Sequence, residues 1–296
     1  MKKFLLRLGL TLAIVFCLLY ISKYNYLLRG INTIYLTGHT TAYLEDYKKF
    51  SNDTVFASRF PQPWPLHDKY NQFAPSKLIE DYHKDRKTVT YLVIKNDSIL
   101  YEKYYDGYGT DSKSNSFSVV KSVISALMGI AIKEGVIQSL DQKVADFIPE
   151  LKGSYAQEVT VGDLSSMASG QEWIEEYYNP FSVTSASYFV KDLDALILDQ
   201  QITERPGESF QYKSGTTQLL GMVIKKATGK SLSVYMTEKL WQPMGAEHSA
   251  LWQLDSSENG MEKAFCCLAS NARDFARIGK LYNCLLYTSP SPRDRG

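Results

Sequence analysis

From Ser118 to Glu134 the chain places apolar residues on every side of a helix: Val119, Val120, Val123, Ile124, Leu127, Met128, Ile130 and Ile132. A surface helix shows one apolar stripe, whereas a helix apolar all round has to be buried. Gly135 supplies its stop. The fold must therefore wrap other elements around this one helix. A chain of 296 residues, 44% of them hydrophobic, has the length and the core material to do so.

The flanking pattern is mixed. Thr88–Lys95 and Ile99–Tyr105 are β-rich and separated by the turn Asn96-Asp97-Ser98, a hairpin signature. Beyond the buried helix, Thr160-Val161-Gly162-Asp163 reads as a capping box opening a helix closed by Gly170. Helices are also expected over Leu193–Gln200, Thr217–Ala227 with a stop at Gly229, from a Ser231 cap to Pro243, and over Ala272–Tyr282. The fold class is α/β (α+β): two strands leading into a long, mostly helical region. Residues 24–87 read as a connector, extended where Phe60-Pro61-Gln62-Pro63-Trp64-Pro65 restricts the backbone.

At the N-terminus Lys2, Lys3 and Arg7 precede an apolar run, Leu8–Ile21. Counted from Phe4 the run spans roughly 27 Å as a helix, near the ~30 Å hydrocarbon core of a bilayer. Ser22-Lys23-Tyr24-Asn25-Tyr26 follows without the small-residue pattern of a cleavage site, which favours an uncleaved anchor over a signal peptide. Positive residues ahead of the run keep that end in the cytoplasm. The expectation is a single-pass protein with residues 1–23 as membrane anchor or signal sequence and its domain extracytoplasmic (periplasmic); a secreted protein is the alternative.

A net charge of +1 gives no basic face for nucleic acid. The four Cys show no zinc spacing and no disulfide framework; Cys266 and Cys267 are adjacent and poorly placed to bond each other. Four His without a His-Glu-x-x-His exclude a zincin, and no Gly-x-Ser-x-Gly marks an α/β-hydrolase. No metal or cofactor is expected.

The chemistry-bearing string is Ser118-Val119-Val120-Lys121, where the buried helix begins. Positions three apart share a helix face, so the Lys121 amine can reach the Ser118 hydroxyl. Serine is a weak nucleophile until a base takes its proton, and a lysine can serve once burial disfavours its charged form. Ser-x-x-Lys alone is weak evidence, equally read as an N-cap serine with a solvated lysine.

Its context resembles a family. Phe117-Ser118-Val119-Val120-Lys121-Ser122 before an apolar helix is similar to the first motif of the penicillin-recognising serine hydrolases. It resembles in particular the branch of class C β-lactamases, DD-peptidases and esterases that includes 6-aminohexanoate-dimer hydrolases. Leu140-Asp141 with Pro149-Glu150, then Val159–Leu164, Met167, Ser169, Gly170 and Trp173, follow in the family's order. Pro206-Gly207-Glu208 leading to Phe210, Tyr212 and Ser214 continues it, as do Leu219-Leu220-Gly221, Thr228-Gly229-Lys230 and Ala272–Arg277.

The resemblance implies a β-lactamase/DD-peptidase-like fold over 88–283, combining a helical region with an antiparallel sheet. It implies an acyl-enzyme on Ser118, with Lys121 and Tyr212 as general base and acid, and a small-molecule or peptide-like substrate carrying an amide or ester. The family's usual Tyr-x-Asn is here Tyr212-Lys213-Ser214. Ser214 shortens the polar reach towards substrate and leans towards esterase and amidase members. Tyr177-Tyr178-Asn179 also fits Tyr-x-Asn, which makes Tyr178 a candidate substrate contact, with a plain surface loop as the other reading. The alternative function is a slow-turnover or non-catalytic membrane-bound sensor of peptidoglycan or β-lactam-like ligands.

The family's third motif, Lys-Thr-Gly or His-x-Gly on a late strand, has no convincing counterpart, since Lys213-Ser214-Gly215 overlaps the tyrosine motif. Residues 284–296 resemble a translated sequencing adapter and are read as a non-native tail. The expectation is a domain incomplete at its C-terminus, with the chain as it stands close to inactive.

Overall fold

The computed structural model describes residues 2–288. Helix α1 (Lys2–Ile21) is long and apolar enough to cross a membrane over Lys3–Ile21. A short bend leads into α2 (Tyr26–Thr33), followed by strand β1 (Asn52–Val55), helix α3 (Lys77–Asp85), the hairpin strands β2 (Thr90–Lys95) and β3 (Ser98–Tyr104), and β4 (Ser114–Asn115). The buried helix is α4 (Val120–Lys133); α5 (Val161–Ser165), α6 (Val183–Phe189), α7 (Leu193–Leu198), α8 (Ser214–Thr228) and α9 (Leu232–Met236) come after it. Strands β5 (Ala250–Gln253) and β6 (Leu268–Ser270) precede the last helix, α10 (Ala272–Thr288).

The core is built on α4 and α8. Val120, Ile124 and Leu127 of α4 and Leu219, Val223 and Ile224 of α8 are completely buried, and α5 and α7 pack on α8. The sequence signals for these helices act as expected. Thr160 accepts from the Asp163 amide at 3.1 Å while the Asp163 carboxylate accepts from the Thr160 amide at 2.9 Å, the reciprocal capping box of α5. That helix is shorter than expected, because Met167 already turns left-handed (φ 59°) ahead of Gly170. Gly229, at φ 65°, ends α8. Asn96 and Asp97 both take positive φ, the two-residue turn that matches strand twist in a hairpin.

The antiparallel sheet implied by the resemblance is present, in two separate parts. The β2–β3 hairpin forms its own antiparallel ladder, and Leu66 lies as a parallel bridge along Ile99 on the far edge of β3. A separate four-stranded sheet has the order β1-β5-β6-β4, antiparallel throughout. Two of its strands follow the helical region, and one comes from the stretch read as a connector. Strands of two to four residues are too short to show alternation. The 24–87 stretch is thus packed into the domain. Asp46 is fully buried, accepting from Tyr188 Oη at 2.6 Å, Gln253 Nε2 at 2.9 Å and Asn115 Nδ2 at 3.2 Å.

Cys266 and Cys267 correct the cysteine reading: they are joined by a disulfide between neighbours, their Cα atoms 3.7 Å apart, with Cys267 in the left-handed region at φ 79°. Of the tail read at 284–296, residues 284–288 continue the α10 backbone and the rest lie outside the described residues.

Gly221 tests the packing of α8. A Cβ there would meet Ala264 Cβ at 2.5 Å and Leu232 Cδ1 at 3.2 Å. The helix-propensity gain of Gly→Ala is about 1 kcal/mol, and overpacking costs about 1–3 kcal/mol. Gly221→Ala should therefore lower the thermal midpoint by a few degrees instead of raising it, as read by calorimetry; an unchanged or raised midpoint would show that the wall at Ala264 yields.

Candidate active site

Strand β4, the edge of the four-stranded sheet, delivers the chain to the site. Asn115 pairs with Ala269, and the Ser116 amide donates to the Leu268 carbonyl at 2.7 Å. Phe117 then adopts φ 45°, unusual for a bulky residue, and its amide is held by Asn115 Oδ1 at 2.9 Å. Such conformations cost on the order of 1–3 kcal/mol and persist only where surroundings fix them; here β4 and Asn115 do so. A 3₁₀ turn over Phe117–Val119 runs into α4, leaving Ser118 exposed at the helix entrance.

One turn on, Lys121 is 8% exposed. Its Nζ lies 3.2 Å from Ser118 Oγ, 3.4 Å from Ser214 Oγ and 2.7 Å from the Phe265 carbonyl. Burial pulls the amine down to about 8, opposed by the nearby Glu175 carboxylate. An uncharged amine has two N–H donors and one lone pair. The Phe265 carbonyl must take a donor. Ser214 Oγ takes the other, because its own proton goes to Glu175 Oε1 at 2.6 Å. The lone pair is left for the Ser118 hydroxyl, the arrangement a general base requires.

Glu175 was not singled out from the sequence. It lies in the loop after Trp173, and its Oε2 accepts from Trp173 Nε1 at 2.8 Å and the Ser214 amide at 2.7 Å. Gly215 permits this arrangement: a Cβ there would sit 2.4 Å from the Trp173 ring. The carboxylate thereby ties the entrance of α8 to the loop and supplies the negative charge facing Lys121.

The other predicted residues are placed as follows. Tyr212 presents its ring to the Lys121 ammonium, 5.0 Å from Nζ to the centroid, and is 41% exposed; among the described residues its hydroxyl has no hydrogen-bond partner. Ser214 is buried at the centre of the network. Tyr178 is 90% exposed and lines the same cavity as Ser118. Its neighbour Tyr177 is drawn towards Glu175; burial, then the hydrogen bond to that carboxylate, pushes its phenol up. Lys213 points elsewhere, donating to the Gln171 carbonyl. Among the described residues no cluster of His, Cys, Asp or Glu is arranged to hold a metal ion.

The sequence model of the Beta-lactamase family matches residues 76–279. Among curated proteins, the 6-aminohexanoate-dimer hydrolase of Paenarthrobacter ureafaciens is 27% identical over 213 residues, covering 69% of this chain and 54% of that protein. Protein flp of Staphylococcus aureus (strain COL) is 27% identical over 173 residues, 55% of this chain and 34% of the relative. The chain thus spans about half, or less, of the length of these relatives. A solved Bacillus anthracis protein described as a 6-aminohexanoate-dimer hydrolase superposes with a TM-score of 0.69 at 22% identity, over 86% of this chain and 68% of that one. A class C beta-lactamase gives 0.52 at 20% identity, over 68% and 61%. At these identities the two structures bear on the fold.

The pH dependence follows from Lys121. With Lys121 in the general-base role expected from the sequence, only the uncharged amine accepts a proton, so turnover should rise with pH along one limb centred near 8. Between that value and the ordinary 10.5 the unfolded chain binds the extra proton, so this group's contribution to stability also increases with pH there. Glu175→Gln removes the charge that favours the ammonium and should move the kinetic limb to lower pH. A limb that stays put, or moves up, in a pH–rate profile would reject the coupling.

Proposed function

The chain belongs to the beta-lactamase family, and from that premise we propose that it is a serine hydrolase that cleaves amide or ester bonds through an acyl-enzyme on Ser118. The observation that carries this reading is a buried amine of depressed basicity, Lys121 Nζ, 3.2 Å from an exposed serine hydroxyl. In the first step Ser118 Oγ bonds to the carbonyl carbon and its proton passes to Lys121. The positive end of α4 favours the negative charge gathering on the carbonyl oxygen. Collapse breaks the bond to the amine or alcohol, which leaves with a proton returned by the Lys121–Tyr212 pair. Water then repeats the sequence to release the acid. Ser214 and Glu175 hold the Lys121 lone pair towards Ser118, and Tyr178 contacts the substrate from the loop.

The likeness to 6-aminohexanoate-dimer hydrolases favours linear amides and esters over β-lactams as substrates. So does the serine at 214, where the family's polar asparagine would stand. In the same reading α1 is an uncleaved anchor with Lys2, Lys3 and Arg7 on the cytoplasmic side, and the hydrolase domain lies outside the cell membrane.

In a version that also carries the family's late-strand motif, Ser118→Ala should abolish both turnover of nitrophenyl esters and covalent labelling by a fluorophosphonate; labelling that persists in the variant would refute the nucleophile. Lys121→Met and Tyr212→Phe should each cost about 10²–10⁴-fold in kcat. As members of one proton path, the pair combined should be barely worse than the poorer single variant. Multiplicative losses in steady-state kinetics would separate their roles.

A further inference from the structure

Resting on the assignment of Ser118 as nucleophile, we propose that the site takes substrates with an extended, uncharged apolar acyl chain, which lies in a cavity walled by the juxtamembrane helix α2. The cavity measures about 590 Å³, runs from Ser118 and Lys121 past Leu27 and Ile31 of α2, and reaches Leu19 in the last turn of α1. That volume lies within the ~300–1,000 Å³ of ordinary ligand pockets. Pro180, Phe181 and Phe189 add further apolar surface to its lining.

Charge decides what can occupy it. Among the described residues lining the cavity, only Lys121 carries an ionisable amine or guanidinium, and none carries a carboxylate. A chain ending in an ammonium or a carboxylate would be buried there without a partner, which is strongly unfavourable. The hydroxyls of Thr184 and Ser185 are already committed to the carbonyls of Ile174 and Asn179, at 3.0 and 2.8 Å. The charged and nucleophilic groups lie at the Ser118 end; Tyr35, Thr40 and Thr41 add only uncharged hydroxyls to the lining, and the rest suits methylenes.

The α2 wall is fixed in place. Tyr26 Oη donates to the Pro180 carbonyl at 2.9 Å. Arg29 Nη1 is shared among the carbonyls of Phe189, Val190 and Asp255 at 2.9, 3.0 and 2.8 Å. Gly30 is buried against the Phe189 ring, where even a Cβ would stand at 3.5 Å. Across the short bend before α2, Leu19 of the apolar helix α1 joins the cavity lining.

The test uses the full chain in phosphatidylcholine vesicles and alkyl fluorophosphonates with ethyl, butyl and octyl chains. The labelling rate of Ser118 should rise up to about fourfold per methylene, the factor that corresponds to burying one CH₂. Leu27→Trp, which fills the cavity, should cut the octyl-to-ethyl ratio at least roughly tenfold while the protein still melts cooperatively. Ser118→Ala protein should bind dodecanoate in a calorimetric titration, and adding Leu27→Trp should weaken that binding by a similar factor. Octyl probe offered from vesicles or from water identifies the source of the chain: preference for vesicles assigns it to a membrane amphiphile, equal rates to a dissolved ester, and both retain the apolar chain as ligand. Rates independent of chain length, or dodecanoate binding indifferent to Leu27→Trp, would overturn the proposal. A failure of every probe to label Ser118 would instead sink the nucleophile assignment, and dodecanoate binding would still decide the cavity.

Discussion

A helix buried on all but one narrow face organises this molecule. Because α4 exposes only the stripe of Ser122, Gly129 and Lys133, its remaining sides need covering neighbours, and α8 meets it with a continuous buried surface from Ser214 to Ile224. The same requirement creates the site. Lys121 belongs to α4 and shares its burial, so its amine is stripped of water and left with the hydroxyls of Ser118 and Ser214 and the Phe265 carbonyl. Ser118 escapes because the 3₁₀ turn at the helix entrance lifts it into the open. Packing and chemistry are thus one arrangement: the helix that forms the core also sets the basicity of the amine.

A second, polar layer holds the entrance in position. Asp46, from the N-terminal stretch, gathers Tyr188, Asn115 and Gln253, and Asn115 in turn braces the strained Phe117. Beside it Lys263 is completely buried, donating to the Tyr188 carbonyl at 2.7 Å and lying over the Phe50 ring at 3.5 Å. Burial, with Arg29 nearby, pulls its amine well down, against the pull of Asp46 and Asp255. Removing one member of such a network leaves the others unpaired, at about 3–5 kcal/mol for a charged group. Residues far apart in the chain thereby converge behind the serine.

The elements legible in the sequence are those specified locally. The apolar positions of α4, the Thr160–Asp163 cap, the hairpin turn and the glycine stop of α8 each depend on residues within a few positions of one another, although α4 keeps an exposed stripe of Ser122, Gly129 and Lys133 where burial on every side was expected. The spacing of Ser118 and Lys121 belongs to the same class. What escaped notice depends on distant partners. Glu175 matters because Ser214 lies 39 residues away, and nothing local marks it. Strands β1, β4, β5 and β6 are defined by their neighbours rather than by alternation. The role of α2 as a cavity wall depends on the segment around 180–189, about 150 residues on. The pairing of Cys266 with Cys267 comes from a left-handed backbone that a sequence of two cysteines does not announce.

The depressed basicity of Lys121 also carries a consequence for engineering. A buried amine held by two hydroxyls and one carbonyl is a poor contributor to stability at neutral pH, where its ammonium form must be accommodated away from water. Methionine or leucine would fill much of the same space without that burden. A library of this protein sorted for heat resistance alone is therefore expected to enrich apolar residues at position 121, giving a hardier chain without the proposed base. On the proposed role of Lys121, stability and activity select in opposite directions at this one position, so any selection for robustness has to be read out through catalysis.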